Sequence, residues 1–262
     1  MSADRPATAA IETAFPDRRV ASVERPSGSD CPGNEVLRVT FTDGEPAAAY
    51  LKVATAADGA ERIAREAALF RYLDAHGAIT VPTVIAADPA ANPPHLATTP
   101  LPGTRLADDL ASDESGAADP DSFRPLLRRL GRALAGLHAA RLDRAGWVRG
   151  DDADGLDLDT DPWPTVLRER VVEPHPVPDR FADVPGRAAD LIAEGADAVE
   201  LSPDDDTPEP TVVHGDCHLQ NVHDDPLGVV DLESAKAGDP VYDLAEWVRE
   251  EFDRRVAAAR SA

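Results

Sequence analysis

The chain has 262 residues, with 49 acidic against 26 basic side chains and a formal charge of −23. That balance provides no basic stripe able to replace the counterions of nucleic acid, so a nucleic-acid partner is not expected. The amino terminus lacks an apolar leader, no apolar run reaches the roughly 18 residues of a membrane span, and Cys31 and Cys217 form no disulfide framework. A soluble, cytoplasmic, reduced protein with no membrane partner is expected.

Of the 26 basic residues only Lys52 and Lys236 are lysine, leaving 24 arginines. Abundant carboxylates, scarce lysine and much alanine make a halophilic composition, in which net charge maintains solubility at a cost in self-repulsion. At about 1 M salt the Debye length is only about 3 Å, so this charge cannot steer a cationic ligand over distance.

In chain order, residues 1–26 allow a short helix and a strand. Ser27-Gly28-Ser29-Asp30 is a small polar turn. Asn34 to Thr40 and Ala47 to Val53 flank Asp43-Gly44, a hairpin signal. From Gly59 to His76, Ile63, Ala67 and Phe70 recur at helical spacing, and Gly77 is the expected stop. Thr80 to Ala86 and His95 to Thr99 predict strands around a proline-rich turn. At Leu101-Pro102-Gly103 the pattern changes from strands to helices, which divides the chain into residues 1–100 and 101–262.

Asp119 as N-cap and Pro120 at the first helical position open a helix carrying Phe123, Leu126, Leu127, Leu130, Leu134 and Leu137, an apolar stripe read as core. His138 near its end is read as structural. Asp151 to Asp161 is expected to be a solvated acidic loop. Helices are expected at Trp163 to Val172 and Arg187 to Glu200, and an acidic, proline-rich linker at Ser202 to Pro210. Asp239-Pro240 opens the last helix as Asp119-Pro120 opens the earlier one.

Thr211-Val212-Val213 and Leu227-Gly228-Val229-Val230 are short β-branched runs bounded by turn formers. The first leads into His214-Gly215-Asp216-Cys217-His218-Leu219-Gln220-Asn221, and the second into Asp231-Leu232-Glu233. The ordered set Asp-x4-Asn-x9-Asp therefore joins a carboxylate, an amide and a second carboxylate along one loop–strand unit. Phosphoryl transfer needs a carboxylate to orient the attacking hydroxyl and oxygen ligands for Mg²⁺.

The two motifs have the order of a kinase catalytic loop followed by a metal-binding Asp. His-Gly-Asp stands where protein kinases have His-Arg-Asp, and Asp-Leu-Glu where they have Asp-Phe-Gly. The wording resembles the aminoglycoside phosphotransferase and choline kinase superfamily, most closely the aminoglycoside phosphotransferase-type family. Ala49-Tyr50-Leu51-Lys52-Val53 looks like the third strand of its amino-terminal lobe, Arg65-Glu66-Ala67-Ala68-Leu69 like that lobe's helix, and Gly131 to His138 like its long central helix. Gly238-Asp239-Pro240-Val241-Tyr242-Asp243-Leu244-Ala245 matches the element after the metal-binding Asp.

The resemblance implies an α+β, two-lobe protein-kinase-like fold and an ATP-dependent small-molecule kinase, with GTP possible as the donor. It implies Asp216 as the catalytic carboxylate, Asn221, Asp231 and Glu233 at Mg²⁺, and Lys52 held by Glu66 at the phosphates. Ser27, Gly28 and Ser29 would cover the phosphates, and Thr98, Thr99 and Leu101 would lie by the base. The acceptor would be a small-molecule hydroxyl. Asp239 and Asp243 read either as acceptor-site residues or as a helix N-cap and a carboxylate bracing the catalytic loop. After Asp231 only 31 residues remain in the sequence, where the family usually has several helices, so an unusual acceptor site is expected.

Two other readings compete. His214, Cys217, His218 and His223 cluster within ten residues, but zinc sites draw spaced pairs from two elements and no second pair appears. Cys217 is read instead as a small loop filler, and His214 and His218 as residues that brace and orient the loop. A non-catalytic nucleotide-binding regulatory module on the same fold is the second alternative. Against it stands the presence of Lys52, Glu66, Asp216, Asn221 and Asp231 together.

Overall fold

The computed structural model describes residues 5–26, 33–77, 79–111, 120–152, 155–159, 161–172, 182–199, 201 and 209–246. Its first half is organised by alternation. The strand β3 (Ala48–Ala54) buries Leu51 and Val53 on one face and turns Tyr50 and Lys52 to the other, as the period of two requires. It pairs antiparallel with β2 (Asn34–Phe41) through the expected turn, where Gly44 has φ +60°. With β1 (Val20–Glu24), β4 (Val84–Asp88) and β5 (His95–Thr98) they make a five-stranded sheet in the order β1-β2-β3-β5-β4.

Two helices cover this sheet. The helix α1 (Arg5–Ala14) packs Ala7 and Ala10, with Phe15 just after it, on the face formed by Leu37, Val39, Leu51, Val53 and Ala97. The helix α2 (Gly59–His76) covers the other face with Ile63, Ala67, Phe70 and Leu73. It spans the expected residues, and Gly77 donates its N–H to the Leu73 carbonyl at 2.7 Å.

Beyond Thr98 come β6 (Thr104–Arg105), α3 (Leu106–Ala111) and α4 (Pro120–Leu137). Gly103 has φ +82°, and a Cβ there would lie 1.8 Å from the Asp224 carbonyl oxygen, so the turn into this region accepts only glycine. The expected N-cap Asp119 lies outside the described residues, as does most of the expected linker. On α4, Leu126, Leu130, Ala133, Leu134 and Leu137 are buried, whereas Leu127 is 40% exposed. A residue next to Leu126 falls about 100° around the helix, off the core face, so Leu127 does not belong to the stripe.

The acidic stretch expected as a solvated loop is instead a hairpin of β7 (Gly146–Asp152) and β8 (Gly155–Leu158). Leu156 and Leu158 point inward and alternate with exposed Asp157, a period-two signal that the density of carboxylates conceals. Arg149 pairs with Asp159 alongside it. The expected strand at Thr80 to Ala86 is also displaced, because Pro82 has no N–H to give a ladder and regular pairing starts at Val84.

The helices α5 (Trp163–Val172), α6 (Val184–Glu194) and α7 (Ala196–Val199) follow, the last two broken at Gly195 within the single helix expected. The strands β9 (Thr211–Val213), β10 (Val222–Asp224), β11 (Gly228–Val229) and β12 (Lys236–Gly238) form two small sheets, β11-β10-β6 and β8-β7-β12-β9. Residues 241–246 are helical, with the Asp239 carboxylate accepting the Val241 N–H at 2.9 Å as an N-cap. No described helix is long and apolar enough to cross a membrane.

Candidate functional site

Lys52 is the hub of the site. Its position on β3 aims Nζ away from the core and toward α2, where it donates to Glu66 Oε2 at 2.7 Å. The same ammonium donates to Asp231 Oδ1 at 2.6 Å and Glu233 Oε2 at 3.2 Å. Burial works against its charge, but Asp231, Glu66 and Glu233 outweigh that and hold its pKa well above the usual lysine value. Burial, with Asp231 and Glu233 adding to it, pushes Glu66 up to about 7 despite the pull of Lys52. Burial likewise works against the Asp231 carboxylate, but Lys52 prevails and keeps its pKa below the ordinary range.

Glu66, Asp231 and Glu233 each offer an oxygen within 4.8 Å of the others. A compact set of hard oxygen donors suits Mg²⁺. Asp231 and Glu233 are thus brought together as expected, with Glu66 as their third neighbour. The Asn221 side chain donates from Nδ2 to the Asp216 carbonyl at 3.0 Å, which ties together the two ends of the segment between them. Asp231 has φ +63°, an uncommon conformation outside glycine that asparagine and aspartate tolerate best.

A cleft of 580 Å³ opens beside this cluster. Lys52, Glu66, Asn221 and Asp231 line one end, and Thr98, Thr99 and Leu101 line another part of the wall. Tyr50 and the Arg105–Asp108 pair, which the sequence reading did not single out, also line it. Ser27, Gly28 and Ser29 lie outside the described residues.

The loop from His214 to Asn221 is held from beneath. Asp243 is fully buried and accepts the His214 N–H at 2.9 Å, the Gly215 N–H at 2.8 Å and a hydrogen bond with His138 Nε2 at 2.9 Å. Burial alone would raise its pKa, but the His138 and His214 rings and the two backbone groups hold it below the usual carboxylate range. Of the two readings of Asp243, the brace is the one seen, and His138 serves it. His214 donates from Nε2 to the Val230 carbonyl at 3.0 Å, which links the two acidic motifs, and burial lowers the pKa of its ring against the pull of Asp243. Cys217 is 2% exposed and fills the loop interior. Asp216 remains 44% exposed at its side chain, with His218 Nε2 3.8 Å from its carboxylate.

Three further residues join the halves of the site. Asn34 donates to Glu233 Oε2 at 2.6 Å and Arg62 to Glu233 Oε1 at 3.1 Å. Arg65 donates to the carbonyls of Val148 at 3.1 Å and Glu233 at 2.8 Å. The spacing of Arg62, Arg65 and Glu66 places all three on one face of α2, a signal available in the sequence. Asn34 had none.

A model of the phosphotransferase enzyme family matches residues 32–262. No curated protein matches the chain. Among solved structures, the chain is similar to a mutant aminoglycoside 2'-phosphotransferase IIIa in its GDP complex, at 18% identity and TM-score 0.57, covering 97% of this chain and 80% of that one. A GDP and kanamycin complex of APH(2")-IIia is similar at 18% identity and TM-score 0.57, over 97% and 82% of the two chains. The apoenzyme of a macrolide 2'-phosphotransferase, MphH from Brachybacterium faecium, is similar at 20% identity and TM-score 0.53, over 90% and 75%. These likenesses establish the α+β, protein-kinase-like fold.

Proposed function

Because the chain belongs to the phosphotransferase enzyme family, we propose that it moves the γ-phosphate of ATP, or alternatively GTP, to a hydroxyl group of a small molecule. The observation that carries this reading is the meeting of Lys52, Glu66 and Asp231 at one end of a 580 Å³ cleft beside the catalytic loop. Residues 1–100 would form the nucleotide lobe and 101–262 the catalytic and acceptor lobe, with the nucleotide between them. The enzyme would work in the cytoplasm, where the nucleotide is made.

The base would sit by Thr98, Thr99 and Leu101, and Ser27, Gly28 and Ser29 would approach the phosphates. Lys52, oriented by Glu66, meets the phosphates and exchanges its bond to Asp231 for them. Asp231, Glu233 and Asn221 would hold Mg²⁺, which when bound supplies neutralisation of phosphate charge. Asp216 accepts a hydrogen bond from the acceptor hydroxyl and aligns it for in-line attack, while Asp243 and His214 keep the loop still. Positioning and charge placement do most of the work.

The acceptor class is suggested only by the similar proteins, one of which binds kanamycin and another of which is a macrolide phosphotransferase. Aminoglycosides, macrolides, sugars and amino alcohols are the first candidates. A screen of metabolite and antibiotic pools with γ-labelled ATP and GTP in molar KCl tests the proposal. A labelled small molecule that is absent with Asp216→Asn supports it. Label that is never transferred from either nucleotide would overturn it.

A further inference from the structure

The second of the two lysines is Lys236, on β12, paired with Trp147 of β7 on one side and with Val213, the residue before His214, on the other. It is 1% exposed, and Nζ finds no hydrogen-bond partner among the described residues. Its ammonium lies 4.2 Å from the Tyr242 ring centroid and 4.9 Å from that of Trp147. Ring faces compensate a buried cation only in part. A core position serving packing alone would be better filled by a methionine or leucine.

The location of that ammonium accounts for its retention. Gly215 has φ +77°, and a Cβ there would lie 2.7 Å from Lys236 Nζ and 2.4 Å from the Ser234 carbonyl oxygen. Lysine therefore packs directly against the bare Cα of the residue before Asp216. A guanidinium is broader and needs several acceptors in one plane, so it does not fit where a single nitrogen does. In a chain that uses arginine 24 times in 26, that requirement explains a lysine here.

We infer that Lys236 is a positioning residue, whose ammonium seated against Gly215 fixes the direction in which Asp216 leaves the catalytic loop. The inference rests on the phosphotransferase reading of Asp216. Asp243 and Glu246 favour the charged lysine, Arg170 and Arg65 oppose it, and the Tyr242 phenol faces it with its own pKa raised to about 12. Burial is the largest influence and brings Lys236 down to about 8. The charge behind Gly215 is thus present at neutral pH and lost as pH rises through about 8.

The test uses the full chain in molar KCl with water as acceptor, following ADP release from Mg-ATP. Lys236→Met should lower kcat by about a hundredfold, as misplacement of a reacting group does, with the KM for Mg-ATP held within about threefold. Its thermal midpoint should equal or exceed that of the parent, since an unpaired buried charge is removed. Lys236→Arg should not restore the rate. The parent kcat should fall above pH about 8, and that limb should vanish in Lys236→Met.

With only two lysines, ε-labelled lysine gives two resonances in the parent protein. The one missing in Lys236→Met should titrate near pH 8 and carry the Gly215 amide resonance with it. A parental kcat in Lys236→Met, a joint loss of rate and thermal midpoint, or a Gly215 amide indifferent to the titration would each overturn the inference. If water does not serve as the acceptor, the resonances alone decide whether Lys236 acts on Gly215, while the phosphotransferase reading stands or falls on the labelled-nucleotide screen.

Discussion

Lys52 donates to Asp231 at 2.6 Å, a bond between residues 179 positions apart in the sequence. The same nitrogen holds Glu66 at 2.7 Å, so one cation balances carboxylates from α2 and from the segment after β11. Removing it should expose their mutual repulsion. Lys52→Met should cost about 3 kcal/mol in metal-free buffer, typical of breaking one side of a buried ion pair. Mg²⁺ alone should then raise the melting midpoint of the variant more than that of the parent, because Glu66, Asp231 and Glu233 are left as an uncompensated oxygen cluster. Equal responses to Mg²⁺ in fluorimetric melts would argue against these carboxylates as a metal site.

Asp216 and Asp231 should separate chemistry from binding. Asp216→Asn should cut phosphate transfer by about 10²- to 10⁴-fold and leave Mg-nucleotide affinity within a few-fold, as loss of a proton-accepting group does. Asp231→Asn should weaken metal-dependent nucleotide binding as well. Near-normal transfer by Asp216→Asn would assign the chemistry to another group.

Asp243 provides a pH test. Its carboxyl is held below the usual range, so the stability it contributes is present above the unfolded value of 3.8 and is lost as pH falls toward the lower folded value. Asp243→Asn should cost about 2–4 kcal/mol near pH 7, because a charged acceptor of buried N–H groups is lost. In denaturant titrations the gap between parent and variant should stay level from neutral pH to about 5 and narrow below about 4. A constant gap down to pH 3 would remove the charge from the account.

Salt should stabilise the fold. With a net charge of −23, raising KCl from about 0.1 to 1 M shortens the Debye length from about 10 to 3 Å and removes most of the repulsion. The exposed pairs Arg71–Asp151 and Arg141–Glu209 would weaken at the same time, but such pairs contribute little. The midpoint by circular dichroism should therefore rise with KCl. A flat or falling midpoint would end the halophilic reading and leave the site untouched.

Local patterns made much of this legible in advance. The run Ala49 to Val53 declares its alternation, Gly59 to His76 its helical period and terminal glycine, and the two acidic motifs the segments that bring Asn221 and Asp231 to the cleft. The strands β10 and β12 were not legible, since Val-His-Asp and Lys-Ala-Gly have little strand preference and are set by neighbours distant in sequence. The grip of Asn34, Arg62 and Arg65 on Glu233 and its carbonyl is likewise a tertiary fact. Asp243 could be read only as one of two alternatives until its two backbone donors were seen.

Whether the cleft is a metal-dependent nucleotide site is decided by calorimetric titration of the chain with Mg-ATP and Mg-GTP in molar KCl. One site is expected for at least one nucleotide, with binding that collapses when EDTA removes the metal and a site that is lost in Lys52→Met. No heat of binding from either nucleotide, or binding indifferent to both Mg²⁺ and Lys52, would contradict it.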